Sequence, residues 1–397
     1  MTVLTRSRVG VAAFYLVQGL CFGGLLAQVP TLQHGLGLSD GVLTLVLLLV
    51  PVVAGGGSVL AGVLAPRLGS GTVLRVAGPL VAVAIFGTAL APSAGVLFPV
   101  VAVVGLGLGL VDATMNMQGV AVERQAGRSL LNSFHAAWSV GGILGSLAAV
   151  LAHGQGWSLP VALGAVAAVA LVIDLVAAPR LLPPDADLAP DAAAPVTAAI
   201  PWRPILAIGV PVTIMYIADS ATSSWSTKYV EDVLRSSATV APLGLAAYLA
   251  CQLLARLGAD AQVNRVGPTW TVRVGGAVGA AGLVLVALAP APWVAIAGFA
   301  LTGLGLAVVV PLAFSAAGAL DPTHSGVAVA RVNLFNYVGF VLGAALIGGI
   351  AQVSSLRWAF AVPAALALAV IALAPAFRVR DGVSARPPIP TSQASGA

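Results

Sequence analysis

The stretch VDATMNMQGVAVERQAGRSLLNSFHAAWSVGG (Val111–Gly142) decides how the rest of the chain is read. It holds an Asp and a His in apolar surroundings, on either side of a short turn bearing Arg124 and Arg128. The flanking segments are long and almost uncharged, so they read as two membrane helices joined on one side. Asp112 and Asn116 are four residues apart and share a helix face, and Asn132, His135, Trp138 and Ser139 make a similar stripe on the next helix. Ionisable groups at membrane depth are costly, so they face a cavity or one another and mark a pathway. The pattern predicts a membrane carrier.

Composition supports this outward from the stretch. Of 397 residues, 59% are hydrophobic and 8% charged, where soluble domains carry about 25% charged residues. The 46 glycines suit helices whose backbones approach closely. The net charge of +5 comes from arginines in loops, so it does not read as a nucleic-acid surface. Cys21 and Cys251 both fall in apolar spans, so neither a disulfide framework nor a metal site is expected. No Ser-His-Asp, Cys-His or metal-ligand spacing stands out, so neither enzyme nor resident cofactor is expected. GLGLGL (105–110) lies inside an apolar span with no preceding strand, and reads as a close-packing face rather than a dinucleotide loop. Arg6 and Arg8 precede the first long apolar run, which reads as a membrane helix, not a signal peptide.

A membrane helix needs about 20 mostly apolar residues. That template gives twelve spans, at 9–32, 40–65, 72–91, 95–121, 129–152, 158–178, 204–230, 238–258, 269–289, 292–317, 326–352 and 355–377. Threaded through them, 15 of the 18 basic residues fall on one side, against Lys228, Arg235 and Arg357 on the other. The excess places both termini in the cytoplasm. Trp157, Trp293 and Trp358 fall at the outer ends and Trp202 and Trp270 at the inner ends, as an aromatic belt requires. Residues 179–203, rich in Pro and Asp, read as a flexible cytoplasmic linker between an N-terminal half (1–178) and a C-terminal half (204–377). Residues 378–397 read as a disordered cytoplasmic tail.

The halves are related. RLGSGTVLRVAG (67–78) and RVGPTWTVRVGG (265–276) align at an offset of 198 with five identities. The same offset pairs GLGL (105–108) with GLGL (303–306), Gly141 with Gly339, and Gly145 with Gly343. An internal duplication with parallel six-helix halves is expected, with the substrate site between them.

The loop GVLAPRLGSGTVL (62–74) resembles the cytoplasmic motif of the major facilitator superfamily, Gly-x-Leu-Ala-Asp-Arg-x-Gly-Arg-Lys. Gly62, Leu64, Ala65, Arg67, Gly69 and Leu74 match, whereas Pro66 replaces the Asp and Ser70-Gly71 the basic pair. The second copy, at 264–267, is weaker. NMQGVAVERQAGRSLLNSFHAAWSVGG (116–142), DSATSSWSTKYV (219–230) and ARVNLFNYVGFVLG (330–343) are similar to the helix 4–5, 7 and 11 patterns of that family's YbjJ-type branch, relatives of the fucose-permease-like sugar transporters. Departures are Gln28 where the branch usually has an Arg before the Pro, and Ala344 where a Pro is common. The resemblance implies the major facilitator fold, an all-α membrane protein of 12 helices in two pseudo-symmetric halves, working as a monomer.

Several polar groups within the spans are candidates for chemistry. Asp112 and His135, expected in the cytoplasmic third, form either a proton site or a structural tie between two helices. Asp219, mid-helix with Thr222, Ser223 and Ser226 on its face, is a substrate or proton site, or a buried polar link. Asp174 reads as a boundary charge. Asn333, Asn336 and Tyr337, with Gln18 and Tyr15, suit hydroxylated ligands or interhelical bonding. Trp138 stacks on a ligand or packs, and Trp225 reads as an interface anchor. Arg256 and Asp260, four apart, are expected to pair. With Arg67, Arg75, Arg265 and Arg273 they form a cytoplasmic gate, a reading that leans on the resemblance.

The expected function is secondary active transport across the cytoplasmic membrane by alternating access, driven by the proton gradient. Because Asp112 and Asp219 face no mid-membrane Arg or Lys in this reading, the expected solute is small and neutral polar or cationic. Drug-exporting relatives usually carry an Arg in helix 4 and a Gly-Pro pair in helix 5. This chain has neither, which favours a sugar-like or metabolite solute over a multidrug exporter. A non-transporting membrane receptor, binding without flux, is the remaining alternative.

Overall fold

Two glycines 198 residues apart show the chain folding the same way twice. Gly69 (φ +79°) and Gly267 (φ +84°) each occupy the sharp turn between two long helices, a conformation glycine adopts without strain. The computed structural model describes residues 3–184, 200–237, 240–321 and 323–378. The middle of the expected linker (185–199) and the expected tail beyond Arg378 lie outside the described residues.

The first group of helices is α1 (Val3–Ala27), α2 (Val29–Leu36), α3 (Asp40–Leu68), α4 (Ser70–Leu90), α5 (Ala94–Ala126), α6 (Leu131–Gly154) and α7 (Leu159–Ala177). The second is α8 (Trp202–Lys228), α9 (Leu243–Val266), α10 (Pro268–Leu288), α11 (Pro292–Leu306), α12 (Val309–Ala319), α13 (Val327–Val353) and α14 (Leu356–Leu373). Caps fit the sequence: Ser39 Oγ accepts from Val42 N at the start of α3, and Ser355 Oγ from Trp358 N at the start of α14. Leu and Val remain exposed along many helices, as surfaces facing lipid do.

Among the described residues, eleven segments are long and apolar enough to cross a membrane. Three differences from the expected spans have physical causes. The span at 292–317 is broken between α11 and α12, because Pro311 lacks an N–H and its ring crowds the carbonyl of Ala307. The first span ends at Ala27, and the chain resumes as α2 with Pro30 in its first turn. The eighth expected span is α9, which runs from Leu243 to Val266 rather than 238–258, and it is absent from the eleven. It carries Gln252, Arg256 and Asp260, which are buried against other helices instead of facing lipid.

Packing within the two groups is equivalent. α1 packs closely on α6, and α8 on α13; α3 and α4 pack on α5, and α9 and α10 on α11. The paired glycines make these contacts: a Cβ at Gly141 would collide with Leu16 O on α1, and one at Gly339 would stand 2.5 Å from Thr213 O on α8. GLGLGL is the close-packing face expected of it, with Gly105 against the Val50 carbonyl of α3 and Gly109 against the Ala54 carbonyl one turn on. The groups meet where α6 touches α9, α3 touches α13, and α5 touches α12 and α13. Between them, Ser58 Oγ donates to Ala330 O at 3.1 Å, and Val120 and Met117 press on Gly318 and Gly326. These contacts gather at one end, that of the Gly69, Gly127 and Gly267 turns.

Candidate functional site

Asp112 stands near the midpoint of α5, because that helix extends to Ala126. The expectation that it sits in the third nearest the Arg-bearing turn is therefore corrected. Tyr337 Oη, from α13 in the other group, donates to Asp112 Oδ2 at 2.9 Å. Gln18, Asn333 and Asn336 also face this carboxylate. Asn336 Nδ2 donates to Asn333 Oδ1 at 2.7 Å, and Asn333 Nδ2 to Ser58 Oγ at 3.2 Å. The polar stripe on α13 thus bonds across the seam.

Asp112 and His135 do not bond directly. Asn116 stands between them: its Nδ2 donates to the Asp112 carbonyl at 2.7 Å, and its Oδ1 lies 3.3 Å from His135 Nε2 and accepts from Tyr15 Oη at 2.6 Å. His135 is buried near the start of α6, its ring stacked on Phe314 of α12 at 6.2 Å and edge-on to Tyr15 at 5.1 Å. Trp138, half-buried one turn further along, tilts against Phe22.

Asp219 of α8 is held inside its own group. Tyr248 Oη donates to its Oδ1 at 2.6 Å, and Gln252 Nε2 reaches the same oxygen at 3.4 Å. Tyr248, Gln252 and Arg256 recur every four residues on α9. That signal is legible in the sequence, but the expected span ends at 258 and places Arg256 at the helix end. Arg256 is instead near the middle of α9 and buried; its Nη1 donates to Ser139 Oγ of α6 at 2.8 Å, and its Nε has no hydrogen-bond partner among the described residues. The premise that no basic group faces the acids is overturned. Tyr216, also missed, lies within electrostatic reach of Asp112, Asp219 and Arg256. Asp112, Trp138, Ser139, Tyr216, Asp219 and Tyr337 each keep partial exposure at mid-helix, so they border an open space between the groups.

The expected gate takes a different form. Arg256 and Asp260 do not pair. Asp260 reaches across to the start of α6, where its carboxylate accepts from Ser129 Oγ (3.0 Å), Asn132 N (3.1 Å), Asn132 Nδ2 (2.9 Å), Ser133 N (2.8 Å) and Ser133 Oγ. Free N–H groups at a helix start, with the positive dipole end, favour an anion. Glu123 accepts from Leu130 N and Leu131 N beside it, and Asn264 Oδ1 accepts from Ser129 N at 2.9 Å. Arg75 Nε donates to Ala178 O within its own group, while Arg67, Arg265 and Arg273 are exposed. Nearby, Asp321 Oδ2 accepts from Ser325 Oγ and Gly326 N in the loop that leads into α13. Its neighbour His324 lies in a cleft with Arg124, where burial, then the guanidinium, holds its imidazole below the ordinary value. Trp225 packs toward Gly348 of α13 with its Nε1 buried, so the interface-anchor reading is corrected.

Residues 212–395 match the model of the Major Facilitator Superfamily. An uncharacterized MFS-type transporter of Yersinia pestis is 31% identical over 366 residues, covering 91% of this chain and 93% of that one. The chain belongs to the major facilitator superfamily. An uncharacterized transporter of Sinorhizobium fredii is 30% identical over 93% of this chain and 97% of its own. Among solved structures, the superfamily transporter FucP in its outward conformation superposes with a TM-score of 0.77 at 14% identity, over 95% of this chain and all of that one. A variant described as the E. coli fucose:proton symporter gives 0.74 at 13%. The family makes this a multi-pass membrane protein of a transporter fold; the solved structures establish the fold alone.

Proposed function

We propose that the chain is a secondary active transporter that moves a small neutral polar solute by alternating access, coupled to protons through Asp112 and Asp219. One observation carries the reading. Two carboxylates, one from each group of helices, hold tyrosine hydroxyls around a partly open mid-helix space, with Tyr216 within reach of both and Arg256 beside Asp219. Carboxyls in such a place can exchange protons, and the amides and hydroxyls around them suit a hydroxylated solute. In this reading residues 1–178 and 204–377 are the two six-helix halves, both termini are cytoplasmic, and the protein works as a monomer in the inner membrane. The Arg-rich end, closed by Asp260, is then cytoplasmic, and the site opens outward.

Arg256 changes the charge argument: two acids against one guanidinium leave the space acidic when both are ionised and neutral when one is protonated. A neutral polar solute fits both conditions. A second reading, a solute bearing a carboxylate, is favoured by the unpartnered Nε of Arg256. The test is proton movement in liposomes holding the purified protein, challenged with sugars, polyols, organic cations and carboxylates. Solute-dependent proton flux lost in Asp112→Asn or Asp219→Asn supports coupling. Solute flux without proton movement makes the protein a facilitator, and binding without flux makes it a receptor.

A further inference from the structure

Asp174 of α7 is fully buried, and among the described residues neither of its carboxylate oxygens has a hydrogen-bond partner. The boundary-charge expectation is thereby overturned: the side chain turns into the first group of helices, away from the seam. It faces Phe14 of α1 and Gly78 of α4, where an added Cβ would stand 2.7 Å from Asp174 Oδ2. It lines a small cavity with Gln18, Cys21, Gly78 and Val111, of a size for about one water. The arginines near this helix end are engaged elsewhere, Arg75 with Ala178 O and Arg180 with Val176 O. Cys21 is the other titratable group facing the cavity. An ionised carboxylate without donors is costly in such surroundings, and the protonated acid costs far less. Gln18 lines this cavity and also faces the Asp112 carboxylate, so one side chain borders both acids.

We propose that Asp174 is a second proton-binding acid, linked to Asp112 by a water that Gln18 positions. The Asp174 carboxyl gives its proton to this water, the water hands a proton to the Asp112 carboxylate, and the negative charge passes from Asp112 to Asp174; the reverse step restores both. The transfer rests on the proton coupling proposed above, but the protonation of Asp174 does not.

Infrared spectroscopy of the full chain in lipid nanodiscs reads both parts. One protonated-carboxyl C=O band is expected in the unmodified protein and lost in Asp174→Asn. Asn matches the neutral acid in shape, so that variant melts like its parent. Should it fail to accumulate, Gly78→Ala, which crowds Asp174 Oδ2, identifies the band by shifting it. Transfer into D2O exchanges the band, and in Gln18→Leu that exchange slows by about tenfold or more. An unchanged carboxyl spectrum in both Asp174→Asn and Gly78→Ala overturns the proposal while leaving proton flux through Asp112 and Asp219 untouched. Exchange as fast in Gln18→Leu as in the parent removes Gln18 from the route. Sodium-dependent stabilisation lost in Asp174→Asn replaces the proton with a bound cation and also overturns it. A retained band in a protein that moves no protons refutes the coupling and the transfer step, and leaves Asp174 a protonated acid.

Discussion

The two acids beside the central space are held in opposite ways. Asp112 is bonded by Tyr337 from the other group of helices, whereas Asp219 is bonded by Tyr248 and Gln252 from its own. If the groups rock against one another, the first bond is remade in each cycle and the second travels intact. The same residue pair, carboxylate and tyrosine, thus reports on the seam in one place and on a single bundle in the other.

The comparison is tested most severely at the closed end. In Asp260→Ala, Asn132 and Ser133 lose their acceptor, and each buried donor left unpaired costs about 1–3 kcal/mol. Spin labels at the exposed Arg128 and Arg265 positions are expected to move apart; an unchanged distance distribution would deny Asp260 its role as the tie. Next come the tyrosines. A hydrogen bond to a charged group contributes about 1.5–3 kcal/mol, so Tyr337→Phe is expected to shift that same distance distribution. Tyr248→Phe is expected to lower the melting temperature and leave the distribution alone. Equal behaviour of the two variants would erase the distinction.

A smaller effect is expected from His324. Its imidazole is held low by burial and by Arg124, with Asp321 opposing, so the closed end prefers it neutral. Its contribution is complete above the ordinary value of about 6.5, and is lost as pH falls through the depressed value. Acidification should loosen the closed end, and His324→Gln should flatten that pH dependence. Smallest of all, Arg67→Ala and Arg273→Ala, both at exposed positions, should change stability by less than about 0.5 kcal/mol.

The helices and their duplication are legible in the sequence because apolar runs and a repeated glycine turn are local signals. Gly69 and Gly267, matched only as letters, take the same backbone conformation. The candidate site is legible as residues but not as partners. Asp112, His135 and Asp219 can be picked out from their surroundings, yet pairing depends on which helices meet, and Tyr337 is 225 positions from Asp112. Spacing along one helix assigns Asp260 to Arg256, whereas the free N–H groups of another helix hold it. Arg256 is displaced toward the helix end in the sequence reading for a related reason. A helix whose polar face is buried against protein is less apolar than the membrane template assumes, so the template draws its boundaries around the wrong residues.

The glycine contacts between α1 and α6 have a mechanical consequence. With Gly19, Gly23, Gly141 and Gly145 leaving no room for even a methyl group, the two helices meet backbone to backbone. Rods joined so closely have little slack with which to absorb a load. A push at one tip would be delivered to the other almost undiminished, as along a stiff lever, and the give would be left to the hinge.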